Sequence, residues 1–226
     1  MSLPRFRAAV FDMDGLLLDS ERPIRDAWMR ATREFGVSIA DADYLQVVGR
    51  NEVDSRAQLQ ALLGEAVSYD AVRARAAALI ADALGTGGYA VKAGVVALLQ
   101  ALRERGVTCV VASSTDHREV QRRLIDAGLA GFFLAVSGGD EVRRGKPHPD
   151  LFLLAAERAG HAPAQCLVFE DSEHGARGAI AAGMSVVIVP DLKTPSDDAV
   201  GKSLAVLASL HDAQAHVEDW FATGGT

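Results

Sequence analysis

The stretch Phe11-Asp12-Met13-Asp14-Gly15 places two carboxylates two positions apart, directly after the apolar run Ala8–Phe11. An apolar run of this kind is typical of a buried strand in a parallel sheet. Gly15 ends the run, so both acids lie at the carboxyl end of the strand, where open α/β sheets hold their ligands. Two adjacent buried carboxylates are costly unless a cation or a proton compensates their charge. The stretch therefore predicts a metal ion, a catalytic role, or both.

The composition limits the class of protein. The chain has 226 residues, is 49% hydrophobic and carries a net charge of −7, which suits one good core with a smaller insertion. This acidity argues against a nucleic-acid partner, although local cations and a metal can still hold a phosphorylated small molecule. We expect a cytoplasmic protein with no membrane partner, because the sequence shows no spanning segment and no signal-peptide pattern. We expect a monomer.

The order of the predicted elements indicates an α/β fold. Short runs rich in Val, Ile, Phe or Ala predict strands at residues 8–11, 108–112, 166–169 and 185–189. Helical patterns, each ending at a glycine, cover residues 94–105, 117–127, 149–159 and 173–182. Asp116, followed three positions later by Glu119, resembles a capping box. Strands and helices that alternate in this way predict a parallel sheet covered on both faces.

Residues 18–88 contain no convincing strand pattern and are too long for a simple crossover between two strands. The sequence predicts helices there at residues 21–35, 41–47, 52–63 and 69–84. We therefore expect an inserted helical cap over residues 18–88. The catalytic core would comprise residues 1–17 and 89–226.

Polar residues follow several of the predicted strands and would converge at one edge of a parallel sheet. They are Asp12 and Asp14; Ser113, Ser114 and Thr115; Lys146, in a loop before a helix; and Glu170 and Asp171. Carboxylates can hold a hard cation such as Mg²⁺, while a hydroxyl and a lysine can bind phosphate oxygens. One carboxylate could attack phosphorus, and a second could transfer the proton.

Four motifs in this order resemble those of the haloacid dehalogenase superfamily of aspartate-nucleophile phosphotransferases, in its β-phosphoglucomutase-like phosphatase branch. The motifs are Phe11-Asp12-Met13-Asp14-Gly15-Leu16-Leu17-Leu18-Asp19-Ser20-Glu21, Val110-Val111-Ala112-Ser113-Ser114, Gly145-Lys146-Pro147 and Phe169-Glu170-Asp171-Ser172. The resemblance covers nearly the whole chain. It implies a Rossmann-like core with a helical cap inserted after the first strand.

The resemblance also implies roles for individual residues. Asp12 would be the nucleophile and Asp14 the general acid and base. Ser113 and Lys146 would hold the phosphate, and Ser114 is a further candidate for binding it. Mg²⁺ is the implied cofactor; its implied ligands are Asp12, the Asp14 backbone carbonyl and Asp171, with Glu170 either binding it directly or lying beside it.

The second acid separates the branches of the superfamily. Members that break carbon–halogen bonds resemble this chain but carry no aspartate at the position of Asp14, so Asp14 favours phosphate chemistry. The related β-phosphoglucomutase carries a histidine in the first cap helix, where this chain has Ile24. We therefore expect a phosphatase that acts on a small phosphorylated metabolite through an aspartyl-phosphate intermediate. We expect this metabolite to be a sugar phosphate. A sugar phosphomutase is the alternative.

Substrate contacts in the cap are expected from three residues. Arg50 could pair with a second phosphate or a carboxylate, and Glu21 and Asn51 could contact sugar hydroxyls. A non-catalytic protein that has kept the fold is a further alternative. It is disfavoured because every core catalytic position of the resembling family is filled here.

Overall fold

The computed structural model describes residues 6–48, 52–85 and 87–223, with backbone only at residues 52–54. Its centre is a six-stranded parallel sheet in the order β3-β2-β1-β4-β5-β6. The strands are β1 Ala8–Phe11, β2 Thr108–Ala112, β3 Ala135–Ser137, β4 Cys166–Glu170, β5 Ser185–Ile188 and β6 Ala205–Val206. The predicted α/β class, a Rossmann-like parallel sheet with helices around it, is confirmed.

The helices fall into two groups along the chain. Between β1 and β2 lie α1 Glu21–Glu34, α2 Asp41–Leu45, α3 Glu52–Leu63, α4 Tyr69–Leu84 and α5 Val95–Glu104. The later helices are α6 His117–Asp126, α7 Asp150–Ala159, α8 Glu173–Ala181, α9 Asp197–Lys202, α10 Leu210–Ala213 and α11 Val217–Trp220. In the described part of the chain, none of these is long and apolar enough to cross a membrane.

Strand β1 is buried on both faces, which explains its unbroken apolar run. Alternate side chains of a strand point to opposite faces. Ala9 and Phe11 pack into one cluster with α5, and Phe11 stacks on Phe169 with ring centroids 4.9 Å apart. Ala8 and Val10 pack into a second cluster with α7 and α8. The functional residues at the end of β1 therefore stand on a strand that is fixed from both sides.

The register aligns the carboxyl ends of the central strands. Phe11 pairs with Val111 of β2 and with Phe169 of β4. The backbone N–H of Asp12 donates to the Phe169 carbonyl at 3.0 Å, which continues the ladder by one residue. The residues that directly follow β1, β2 and β4 therefore lie side by side at one edge of the sheet.

Helices α1 to α4 have an apolar cluster of their own, which includes Trp28, Leu59 and Val72. The two chain segments that join them to the sheet run beside each other. The N–H of Asp19 donates to the Ala90 carbonyl at 2.8 Å, and the N–H of Lys92 donates to the Leu17 carbonyl at 3.0 Å. This arrangement agrees with a helical cap on two paired linkers, while the boundaries at residues 17/18 and 88/89 stay a prediction.

The sequence prediction differs from the structure in several details. Strands β3 and β6 were not predicted, because three and two residues are too short to show a periodic pattern. The predicted capping box at α6 is wrong. Asp116 does cap the helix by accepting the Arg118 N–H at 2.9 Å, but the carboxylate of Glu119 pairs with Arg122 and Arg123.

Candidate active site

Three carboxylates meet at the carboxyl ends of β1 and β4. Asp12, Glu170 and Asp171 each offer an oxygen atom, and these oxygens lie within 4.8 Å of one another. All three residues are buried. Their convergence follows from the register, because Asp12 directly follows β1, Glu170 ends β4, and these two strands are neighbours in the sheet. Buried carboxylate oxygens grouped in this way are the donor set that hard divalent cations prefer.

Lys146 lies between two of these acids. Its Nζ donates to Asp12 Oδ1 and to Glu170 Oε1, both at 2.5 Å, and only 3% of the lysine side chain is exposed. The other oxygen of Glu170 accepts from the N–H and the hydroxyl of Ser172, both at 2.8 Å. Both oxygens of Glu170 are thus hydrogen-bonded, and Glu170 fixes the position of the lysine.

The site carries more negative than positive charge. Burial raises the pKa of Asp12 to about 7; Lys146 opposes that rise, and the charges of Glu170 and Asp14 add to it. Burial, together with the charges of Glu170 and Asp12, raises the pKa of Asp171 well above its usual range. Burial works against the charged form of Lys146, but the carboxylates of Asp12 and Glu170 outweigh it and raise the lysine pKa. A bound cation would relieve the repulsion between these acids.

Asp14 is held by three donors from different parts of the chain. Ser20 Oγ and Arg123 Nη1 donate to Asp14 Oδ1 at 2.6 and 2.7 Å, and Thr115 Oγ1 donates to Oδ2 at 2.8 Å. Sequence reasoning did not assign roles to these donors. Ser20 lies inside the first motif and Thr115 directly follows the second, which was the available signal, whereas nothing in the sequence distinguishes Arg123 from its neighbour Arg122.

The loop after β2 supplies the predicted hydroxyl groups. Ser113 is 1% exposed, and its Oγ accepts the Thr115 N–H at 3.1 Å. Its own N–H donates to the Ser137 carbonyl at 3.0 Å, which ties the loop to the end of β3. Ser113 and Ser114 both line the same cavity as Asp12 and Lys146.

That cavity has a volume of about 610 Å³ and lies between the cap and the carboxyl edge of the sheet. Its cap side is lined by Glu21, Ile24, Trp28, Tyr44 and Tyr69, among others. Burial, followed by the charges of Asp14 and Asp12, raises the pKa of Glu21 to about 8. The predicted substrate contacts Arg50 and Asn51 lie outside the described residues.

Comparison with known proteins identifies the family. A model of the haloacid dehalogenase-like hydrolases matches residues 6–183. The chain belongs to this family. It is 32% identical over 189 residues to a Bacillus subtilis (strain 168) protein provisionally named phosphatase YhcW, a match that covers 83% of this chain and 85% of that protein. It is 31% identical over 187 residues to hexitol phosphatase A of Escherichia coli (strain K12), a match that covers 82% of this chain and 83% of that protein.

The fold comparison agrees. The crystal structure of β-phosphoglucomutase from Clostridium difficile superposes with a TM-score of 0.78 at 18% identity, covering 95% of this chain and 97% of that one. The prediction of a haloacid dehalogenase superfamily member in the β-phosphoglucomutase-like branch is confirmed. The predicted class of enzyme, a phosphoric monoester hydrolase, is confirmed by this family and by relatives named as phosphatases. The roles of individual residues stay predictions.

Proposed function

We propose that this haloacid dehalogenase-like hydrolase is a Mg²⁺-dependent phosphatase that removes phosphate from a small metabolite through an aspartyl-phosphate intermediate. The observation that carries the proposal is the buried group of Asp12, Glu170 and Asp171 with Lys146 between two of them. Burying that many acids costs stability, so the arrangement is best explained by a reaction that uses them.

The donor set fits a magnesium ion. Every candidate ligand is an oxygen atom, and burial, followed by repulsion from neighbouring carboxylates, raises the pKa of both Asp12 and Asp171. Asp12, Asp171 and the Asp14 backbone carbonyl would hold the ion. Glu170 would lie beside it, since both of its oxygens already accept hydrogen bonds. When bound, Mg²⁺ would neutralise charge on the phosphoryl oxygens.

Asp12 is the proposed nucleophile. Its carboxylate attacks phosphorus, the bond from phosphorus to the ester oxygen breaks, and Asp14 gives a proton to the departing oxygen. In the second step Asp14 takes a proton from water as the water attacks phosphorus. The bond from phosphorus to Asp12 then breaks, and inorganic phosphate and the free carboxylate are restored.

Lys146, Ser113 and Ser114 are the proposed phosphate ligands. Lys146 already contacts the nucleophile at 2.5 Å, so its charge would also lie next to phosphoryl oxygens attached to Asp12. Developing negative charge on the transferring group is stabilised by such fixed donors. Ser113 is fixed by its bonds to Thr115 and Ser137, which places a hydroxyl at the end of β2 without further reorganisation.

We propose a sugar phosphate as the substrate. The cavity is large enough for a small metabolite, and its cap side combines the aromatic rings of Trp28, Tyr44 and Tyr69 with the carboxyl of Glu21. Such a wall suits the mixed apolar and hydroxyl surface of a sugar. One relative is named hexitol phosphatase A. Arg50 and Asn51 stay proposed contacts of the same substrate. A cytoplasmic monomer without nucleic-acid or membrane partners also stays a prediction.

The test is phosphate release from p-nitrophenyl phosphate and from a panel of sugar phosphates. We expect release by the wild-type protein with Mg²⁺, reversible loss with EDTA, and loss of turnover in Asp12→Asn. Asp26→Asn is the matched control, because Asp26 is a well-exposed aspartate in α1 and should keep full activity. Wild-type turnover in Asp12→Asn would show that the proposed nucleophile is wrong.

The phosphomutase alternative is tested with β-glucose 1-phosphate. A mutase converts it to glucose 6-phosphate, whereas a phosphatase releases free phosphate. Ile24 lines the cavity and offers no group that can carry a proton, which favours hydrolysis. Accumulation of glucose 6-phosphate without phosphate release would reverse this assignment.

A further inference from the structure

Arg123 is a nearly buried arginine whose guanidinium group has partners at Nη1, at Nε and on one face. Its Nη1 donates to Asp14 Oδ1 at 2.7 Å, and its side chain is 14% exposed. Its Nε donates to Glu119 Oε1 at 2.8 Å, one turn earlier on α6. The face of the guanidinium lies over the Tyr89 ring, 4.9 Å from the centroid. An arginine fixed on three sides has few rotamers left, so it can act as a rigid anchor.

Arg123 is one of three donors that hold the carboxylate of Asp14. The other donors to Asp14 are the hydroxyls of Ser20 and Thr115, which can each rotate to a different acceptor. Arg123 is the charged donor of the three, and a hydrogen bond between two ions is stronger than one from a neutral hydroxyl. Removing it would leave the Asp14 carboxylate held by these two hydroxyls alone, so the carboxylate would turn more readily about its terminal torsion, which is intrinsically soft.

We infer that Arg123 is a positioning residue that holds the Asp14 carboxylate in place for proton transfer. The inference rests on the proposed function, in which Asp14 protonates the departing oxygen. Arg123 reaches Asp14 from α6 in the sheet domain, while Tyr89 reaches Arg123 from the second linker of the cap. Arg123 therefore links Asp14, the proposed proton carrier, to a segment that joins the cap to the sheet.

The neighbouring residue Arg122 provides a matched control. It lies on the same helix and also pairs with Glu119, at 2.7 Å, but it is 57% exposed and its third contact is to Asp126. Arg122→Gln removes an arginine and a bond to Glu119 without touching Asp14. Arg123→Gln removes the contacts with Asp14 and Tyr89 as well. A difference between these variants therefore reports the loss of these two contacts.

The experiment compares kcat/KM for two aryl phosphates, p-nitrophenyl phosphate and phenyl phosphate, with Mg²⁺ present. For each substrate, kcat/KM reports the steps up to the departure of the phenol. p-Nitrophenolate leaves with little help from a proton, whereas phenolate needs it more. A badly placed Asp14 should therefore lower kcat/KM for phenyl phosphate by about 10–100-fold and for p-nitrophenyl phosphate much less. Arg123→Lys keeps a charged donor and should recover part of the loss.

The outcomes are separable. A selective loss on phenyl phosphate in Arg123→Gln, absent in Arg122→Gln and reduced in Arg123→Lys, supports the inference. An equal loss on both substrates, or a rise in KM alone, overturns it in favour of a structural or substrate-binding role. If Arg123→Gln does not fold, the same comparison is made with Arg123→Met, which keeps most of the apolar stem but has no charged donor, and unchanged selectivity there overturns the inference. A wild-type protein that releases no phosphate from either ester contradicts the proposed function itself.

Discussion

Gly175 lies in the first turn of α8, against the acid that fixes Lys146. A Cβ atom built at this position would overlap the carboxylate of Glu170 at all three of its heavy atoms. Glu170 cannot simply turn away, because one oxygen accepts from Lys146 and the other accepts twice from Ser172. The substitution Gly175→Ala must therefore break bonds to a buried charge or displace the helix.

The magnitude follows from those contacts. Hydrogen bonds that involve a charged group contribute about 1.5–3 kcal/mol each. Losing two of them, less the ~0.5–1 kcal/mol that alanine gains over glycine in a helix, gives a net loss of about 2–5.5 kcal/mol. For a chain of this size each kcal/mol lowers Tm by about 2–4 °C, so we expect a decrease of about 4–22 °C. Displacement of Lys146 should also lower kcat at least ~10-fold.

Gly201 offers the matched control for this substitution. It is also a helical glycine, in α9, but among the described residues no heavy atom other than those of its chain neighbours and its own helical backbone lies within 4 Å of a Cβ built there. Gly201→Ala should raise Tm by a few degrees, because alanine restricts the unfolded chain. The measurements are calorimetric Tm and phosphate release from p-nitrophenyl phosphate. A Gly175→Ala protein that melts with the wild type and keeps its kcat would refute the packing argument.

Two further predictions concern ion pairs away from the nucleophile. The Asp191 side chain is 2% exposed, and its Oδ1 accepts from Arg22, at the start of α1, at 2.6 Å and from Lys92, in the second cap linker, at 2.7 Å. Asp191→Asn should lower the unfolding free energy by about 1–3 kcal/mol and speed proteolysis in the linkers; unchanged urea unfolding would contradict this. The pKa of Glu141 is lowered to about 2, and the hydrogen bond from the Arg158 side chain is the largest cause. Because this folded-state pKa is depressed, the stabilisation is complete above the unfolded pKa of about 4.3 and is lost as pH falls toward about 2. Glu141→Gln should therefore cost about 1–3 kcal/mol at pH 7 and little at pH 2, as measured by urea unfolding at both pH values; an equal cost at both would contradict the electrostatic account.

The sequence predicted the four strands that are long and apolar, and through them the edge where Asp12, Lys146, Glu170 and Asp171 converge. That success has a physical basis: strands buried on both faces carry continuous apolar runs, and parallel strands end at one edge. The roles assigned to these residues rest on the resemblance to a known family and stay predictions.

Arg123 could not be predicted by the same reasoning. It stands 109 positions from Asp14 in the chain, beside an identical arginine at position 122. Successive residues of a helix point about 100° apart, so the rotation of α6 about its axis decides which arginine faces Asp14. That rotation is set by packing of the buried Val120 and Leu124 against the core. A pattern of charges alone contains no such information.

The charge balance of the site implies an order of binding. Asp12, Asp14, Glu170 and Asp171 face the cations Lys146 and Arg123, and the lysine is already shared between two acids. A phosphate ester adds about two negative charges to this excess. Like charges about 4 Å apart repel by several kcal/mol at the effective dielectric of a protein site. Where they are ionised, the acids that would hold Mg²⁺ therefore repel the substrate until the cation is bound, so the metal should enter before the phosphate.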